Sequence, residues 1–143
     1  AMIAAGPGVA SSGTVDSTYL TVMDLAPTFL ELGGATYPSD GSVAPMLGES
    51  MVDFLAGAEA EVHDDNYITT LYHDGMALLR QGRWKIVTLA PPFDESRFEL
   101  FDIEADPGES RNLALQYPER MASMIALWRE TRLELGIVLP QDL

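Results

Sequence analysis

Two histidines, His63 and His73, are the only side chains in this sequence with an ordinary titration near neutral pH. His63 heads the run His63-Asp64-Asp65, which has the residue types of a metal cluster. Three consecutive side chains do not converge on one ion in a strand or helix, because neighbouring positions point in different directions. The plainer reading is a solvated loop ahead of a strand. His73 opens His73-Asp74-Gly75, where Asp-Gly has the composition of a tight hairpin turn. A histidine on such a loop is free to face a neighbouring site.

Asp102, Glu104 and Asp106 alternate like the first ligands of a calcium loop. That loop needs Gly at its sixth position and a carboxylate at its twelfth, which here are Pro107 and Leu113. The calcium reading fails, and the segment from Asp102 to Ala114 reads instead as a rigid corner. Asp106 caps it, Pro107 presets φ, Gly108 allows the bend and Asn112 satisfies backbone groups. Serine nucleophiles fare no better. Gly48-Glu49-Ser50-Met51-Val52 lacks the second Gly of a nucleophile elbow, and Ser42, Ser96 and Ser110 have no better context. No Gly-rich phosphate loop with a following Lys is present. The absence of cysteine excludes disulfides, thiolate metal sites and a thiol nucleophile. No catalytic residue and no metal ligand are therefore assigned.

The composition narrows the partners. Acidic residues outnumber basic ones 22 to 8, for a net charge of −14, and such a chain repels phosphate backbones. No nucleic-acid partner is expected. No apolar run approaches the roughly 18 residues of a membrane helix, so no membrane association is expected either. The start has no basic region followed by an apolar stretch, so it does not read as a signal peptide, and the compartment stays open. With 47% hydrophobic and 21% charged residues, the 143-residue chain has the make-up of a globular domain.

The elements that would position these residues are legible from pattern. Residues 1–17 are rich in Gly, Ala and Ser and form a loose N-terminal segment. Residues 18–143 are taken as one subdomain. Leu25, Phe29 and Leu32 fall at helical spacing, closed by Gly33-Gly34. A loop from Pro45 runs into a turn or two of helix ending at Gly57. Four short segments rich in aromatic and branched residues follow: Tyr67 to Tyr72, Met76 to Arg80, Trp84 to Leu89 and Phe98 to Ile103. Asp74-Gly75 and Gln81-Gly82 separate the first three, as in an antiparallel meander. Last, Pro118 opens a long helix with a stripe at Met121, Met124, Ile125, Trp128 and Leu135. One stripe is not buried alone, so it should cover one face of the sheet. The expected class is α+β: a small antiparallel sheet of about four strands packed against a long C-terminal helix, preceded by a short helix and loops.

Taken in order, four segments resemble the C-terminal part of the sulfatase family, within the alkaline-phosphatase superfamily. Asp24-Leu25-Ala26-Pro27-Thr28 through Leu32-Gly33-Gly34 is similar to its D-x-x-P-T helix, and Pro45-Met46-Leu47-Gly48 to a Pro-Leu-x-Gly segment. Arg80-Gln81-Gly82-Arg83-Trp84-Lys85 is similar to an R-x-G-x-W-K hairpin. Leu100-Phe101-Asp102-Ile103 through Asp106-Pro107 and on to Asn112-Leu113-Ala114 is similar to its L-Y-D-L…D-P…N-L-A run. The wording is closest to bacterial arylsulfatases. The resemblance implies a sulfuric ester hydrolase that uses formylglycine, made within a C/S-x-P-x-R motif, and calcium. That motif is absent here, so the chain is expected to hold no cofactor itself and to be inactive alone. The implied partner is the large α/β catalytic domain, or a second copy meeting an exposed apolar docking face. His73 is the residue expected to border a substrate cleft, while Arg80, Trp84 and Lys85 maintain the hairpin. A free-standing interaction module, or the C-terminal part of a phosphate or phosphonate monoesterase, would carry the same pattern.

Overall fold

The computed structural model describes residues 2–11 and 13–143. By backbone contacts the chain divides into two compact units, Ala1–Asp64 and Asp65–Leu143.

In the first unit the described residues up to Leu20 hold no helix or strand. A 3-10 turn, Val22–Asp24, leads directly into α1, Leu25–Leu32. Its start is a reciprocal cap: the Thr21 hydroxyl accepts the Met23 amide at 3.2 Å, and the Asp24 carboxylate accepts the Thr21 amide at 2.6 Å. Pro27 sits in the first turn of α1, where its missing amide costs no hydrogen bond, and Gly33-Gly34 follow the helix as its composition predicts. The second helix, α2, is a single turn at Val52–Leu55. Gly48 lies against the start of α1 so closely that a Cβ would stand 2.2 Å from the Met23 carbonyl. No residue with a side chain fits there without moving backbone.

The second unit is the expected meander. Strands β1 (Ile68–His73), β2 (Met76–Gln81), β3 (Trp84–Thr88) and β4 (Glu99–Asp102) form one antiparallel sheet in sequence order. Each lies within two residues of its predicted bounds. Asp74 (φ 47°) and Gly75 (φ 80°) make the two-residue turn between β1 and β2, both in the left-handed region that such a turn requires. Helix α3, Pro118–Glu134, covers the sheet, and its stripe is the predicted one except that Leu135 lies past the helix end and is exposed. Leu79, Ile86 and Leu100 are directly opposed across β2, β3 and β4 and are fully buried. With Ala77, Phe98, Met124 and Trp128 they form the core. Phe93, Phe98 and Trp128 meet tilted or edge-on, with ring centroids 5.6 to 5.9 Å apart. The sheet is tied to α3 by polarity as well: Thr70, opposite Leu79, reaches the Thr131 hydroxyl at 3.1 Å.

Candidate functional site

The unexpected chemistry lies in the first unit, on α1. Asp24 and Thr28, one helical turn apart, are the buried residues of the 3-10 turn and α1, at 0% and 2% exposure. Thr28 donates to the Asp24 carbonyl at 2.6 Å and accepts the Met51 amide at 2.9 Å. The Asp24 carboxylate accepts the Thr21 and Glu49 amides, the latter at 3.1 Å. Its Oδ2 also stands 3.0 Å from Nε2 of His63. Burial works against the charge on Asp24. The two amides and His63 together outweigh it and hold the carboxyl below the usual carboxylate range.

His63 is therefore not the solvated loop residue that its acidic neighbours suggested. It is buried, with Tyr19 tilted against it at 6.0 Å and Nδ1 3.4 Å from a Glu49 carboxylate oxygen. Asp64 is exposed, as expected of the run. The solvated reading failed because the partner of His63 is 39 residues away in sequence. The available signal was the Thr21-Val22-Met23-Asp24 capping box, which places an ionised carboxylate at a helix start. A buried imidazole with both nitrogens facing carboxylates has no face for a substrate. The cluster binds the start of α1 to the loops at Glu49 and His63, and no bond-making role follows from it.

Several apolar side chains of the same helix, and of the 3-10 turn before it, stand open to solvent. Val22 is 80% exposed, Phe29 65% and Leu32 67%, and Ala26 between them is exposed too. The helix thus buries Thr28 and half-buries Leu25 and Leu30, while Ala26, Phe29, Glu31 and Leu32 are exposed. Val22 also lines an open cleft of the first unit, with Val9, Leu20, Leu25, Phe54 and Leu55.

His73 stands exposed at the end of β1, beside the Asp74-Gly75 turn. A Cβ on Gly75 would come within 2.9 Å of Pro91, so the turn rests on the loop that follows β3. The corner after β4 behaves as its composition predicted. The Asp106 carboxylate accepts the Ser110 and Arg111 amides at 2.8 and 2.9 Å, and Asn112 Oδ1 accepts the Leu100 and Ala114 amides. The left-handed residue is Glu109 (φ 52°) rather than Gly108, with its carboxylate 2.5 Å from Lys85 Nζ. Arg83 pairs with Asp102 and holds that carboxyl below the usual range. Arg80 donates to the Gly82 carbonyl at 2.9 Å, and Trp84 packs on Tyr117 and Arg120. These three sequence-predicted residues stay within the hairpin and its packing.

Residues 1–134 match the family model described as "N-sulphoglucosamine sulphohydrolase, C-terminal". The chain belongs to this sulfatase family. An uncharacterised sulfatase of Schizosaccharomyces pombe is 26% identical over 140 residues, covering 95% of this chain and 25% of the relative. Arylsulfatase K of Xenopus laevis is 33% identical over 127 residues, covering 83% of this chain and 23% of that protein. The sulfatase C-terminal domain thus spans only about a quarter of the curated relatives it matches. The fold also matches a protein solved with its substrate D-glucosamine-2-N,6-O-disulfate, at TM-score 0.54 and 24% identity, over 76% of this chain and 23% of that one. A second match, Ps i-CgsB in complex with k-i-k-neocarrahexaose, has TM-score 0.60 and 22% identity over 80% and 24% of the two chains.

Proposed function

We propose that this chain is the C-terminal part of an arylsulfatase-type sulfuric ester hydrolase and hydrolyses no ester by itself. One observation carries the reading: a sulfatase C-terminal family match over residues 1–134 in a chain that spans about a quarter of its relatives. The buried Asp24–His63 pair is in keeping with it, because it withdraws the first unit's imidazole from solvent. Formylglycine and calcium belong to the remainder of the enzyme, and no residue of this chain is assigned to either. Sulfate rather than phosphate or phosphonate chemistry is favoured because the curated relatives named above are sulfatases. The exposed face of α1 serves the large catalytic domain as its docking partner.

The reading assigns His73 to the margin of the substrate cleft. Its exposure on a turn braced by the loop after β3 supports that role.

The test is hydrolysis of 4-nitrophenyl sulfate by the 143-residue chain and by the full-length protein that contains it. The full-length protein should release nitrophenol, and the chain alone should release none above buffer. Turnover by the chain alone would contradict the reading, and full-length preference for the phosphate ester would favour the monoesterase alternative. In the full-length enzyme, His73→Ala should raise KM several-fold with kcat and melting temperature little changed. An unaltered KM on substrates larger than nitrophenyl sulfate would remove His73 from the cleft.

A further inference from the structure

Most cations of the second unit meet a carboxylate. Arg83 pairs with Asp102, Lys85 with Glu109, Arg97 with Asp94, Arg129 with Glu95 and Arg132 with Asp142. Arg111 and Arg120 differ, because among the described residues their side chains meet neutral partners and form no ion pair. Arg111 donates to Gln116 Oε1 at 2.9 Å, and Gln116 Nε2 donates to the Tyr117 hydroxyl at 3.4 Å. Tyr117 meets Trp84 edge-on with ring centroids 5.3 Å apart, and the Arg120 guanidinium lies over the Trp84 ring at 5.6 Å. The side chains form one ladder, Arg111–Gln116–Tyr117–Trp84–Arg120, across the corner after β4, the start of α3 and the start of β3. Trp84 is half-buried and the other four are exposed, Tyr117 at 41%. The charges around the ladder are spoken for or stand apart. Arg83, also over Trp84 at 5.9 Å, is neutralised by Asp102. The Asp106 carboxylate is taken up by the Ser110 and Arg111 amides, and exposed Glu119 forms no ion pair with its neighbour Arg120.

An amide or an aromatic ring orients a guanidinium without cancelling its charge. In a chain with 22 acidic residues, a carboxylate partner would hold either arginine as firmly, yet both keep their charge available at the two ends of one aromatic step. We infer that this ladder binds a short saccharide carrying anionic groups, sulfate esters or carboxylates. The half-exposed Tyr117 ring supplies an apolar surface for the C–H face of a sugar, with its hydroxyl at the polar edge. Arg111 and Arg120 take the anionic substituents on either side, because a guanidinium presents a planar fork of donors that matches both kinds of anion. Gln116 Nε2 keeps a second N–H for a sugar hydroxyl. Trp84 positions Tyr117 and Arg120 and is itself anchored in β3. The net charge of −14 opposes a long polyanion, which selects a short ligand over an extended one. The inference is independent of the reaction proposed above, since no step of it requires an ester to be cleaved.

The chain has two tryptophans, Trp84 in the ladder and Trp128 in the core, so their indole N–H signals in the isotope-labelled 143-residue chain read binding and folding separately. Titration with a sulfated disaccharide, or with digalacturonate, should move the Trp84 signal saturably and leave the Trp128 signal in place. Whichever of the two acts at lower concentration tells sulfate ester from carboxylate. The unsulfated disaccharide and inorganic sulfate at matched concentration should leave both signals in place. Arg111→Gln and Arg120→Gln should each weaken binding several-fold with the Trp128 signal unmoved. Arg97→Gln, which removes an exposed cation paired with Asp94, should change nothing. Silence of the Trp84 signal toward both anionic saccharides would overturn the inference. So would an equal response to inorganic sulfate, which would reduce the ladder to an anion site, or to the unsulfated sugar, which would make the arginines irrelevant. A loss of equal size in Arg97→Gln would also overturn it, by showing attraction to overall charge alone. A full-length protein inactive on aryl sulfates would sink only the sulfatase reading, and an active one whose 143-residue part ignores both saccharides would sink only this inference.

Discussion

The two units of this chain are built on opposite plans. In Asp65–Leu143 the interior is apolar, with Leu79, Ile86, Leu100 and Trp128 at 0% exposure, and ion pairs sit on the outside. In Ala1–Asp64 the fully buried side chain is a carboxylate, held by two amides and an imidazole, while Phe29 and Leu32 of the same helix face solvent. The first plan is self-sufficient, because burying apolar area is what offsets the entropy of ordering a chain. The second is not. Val22, Phe29 and Leu32 would each contribute about 1.5–3 kcal/mol on full burial, and most of that is unrealised in the chain as it stands. The difference sets a unit with its own apolar core beside one whose exposed apolar helix residues, on the proposed reading, are left for a partner to cover.

The sharpest way to break this contrast is to attack each interior in turn. Trp128→Ala removes the largest core side chain and should cost about 3–5 kcal/mol, read as a lower denaturant midpoint of the sheet unit. The Phe29→Ser change should cost under about 0.5 kcal/mol in the isolated chain despite the loss of an aromatic ring, because the site is already in water. Equal costs at the two positions would erase the distinction between the units.

Next in size is the polar interior. Asp24→Ala leaves the part-buried Thr21 and Glu49 amides and the buried His63 without their acceptor and should cost about 1–3 kcal/mol, mostly at His63 because the amides can turn to water. Hydrogen exchange should accelerate across α1 and leave the β2 and β3 amides unchanged. Acceleration spread evenly over both units would show that they unfold as one. Gly48→Ala should act on the same element, since its methyl group would meet the Met23 carbonyl.

The smallest and most specific effect is on pH dependence. The folded state holds the Asp24 carboxyl below its ordinary range, so the unfolded chain takes up this proton first as pH falls. The stabilisation is complete above the ordinary carboxylate value of about 4 and is lost as pH drops through the lower folded value. The stability gap between the natural chain and Asp24→Asn should therefore narrow below about pH 4. A gap constant down to pH 2 would mean that Asp24 is not ionised in the fold.

The legibility of the sequence follows the same division. The four strands, the Asp-Gly turn and α3 were visible because alternation and helical spacing report burial when the partner surface is in the same chain. The corner at Asp106 and Asn112 was visible because its hydrogen bonds are local. Two features of the first unit were misread or incompletely read. Leu25, Phe29 and Leu32 have helical spacing, but spacing does not say whether the stripe faces a core or an absent neighbour. The solvated reading of His63 failed because Asp24, its partner, is remote in sequence.

The most direct test of the account is side-chain footprinting of Phe29 and Leu32 by hydroxyl radicals, in the isolated chain and in the full-length protein. The account predicts strong labelling in the isolated chain and protection in the full-length protein, with Trp128 protected in both. Equal labelling of Phe29 and Leu32 in the two proteins would contradict it, because the outer face of α1 would then have no partner to complete it.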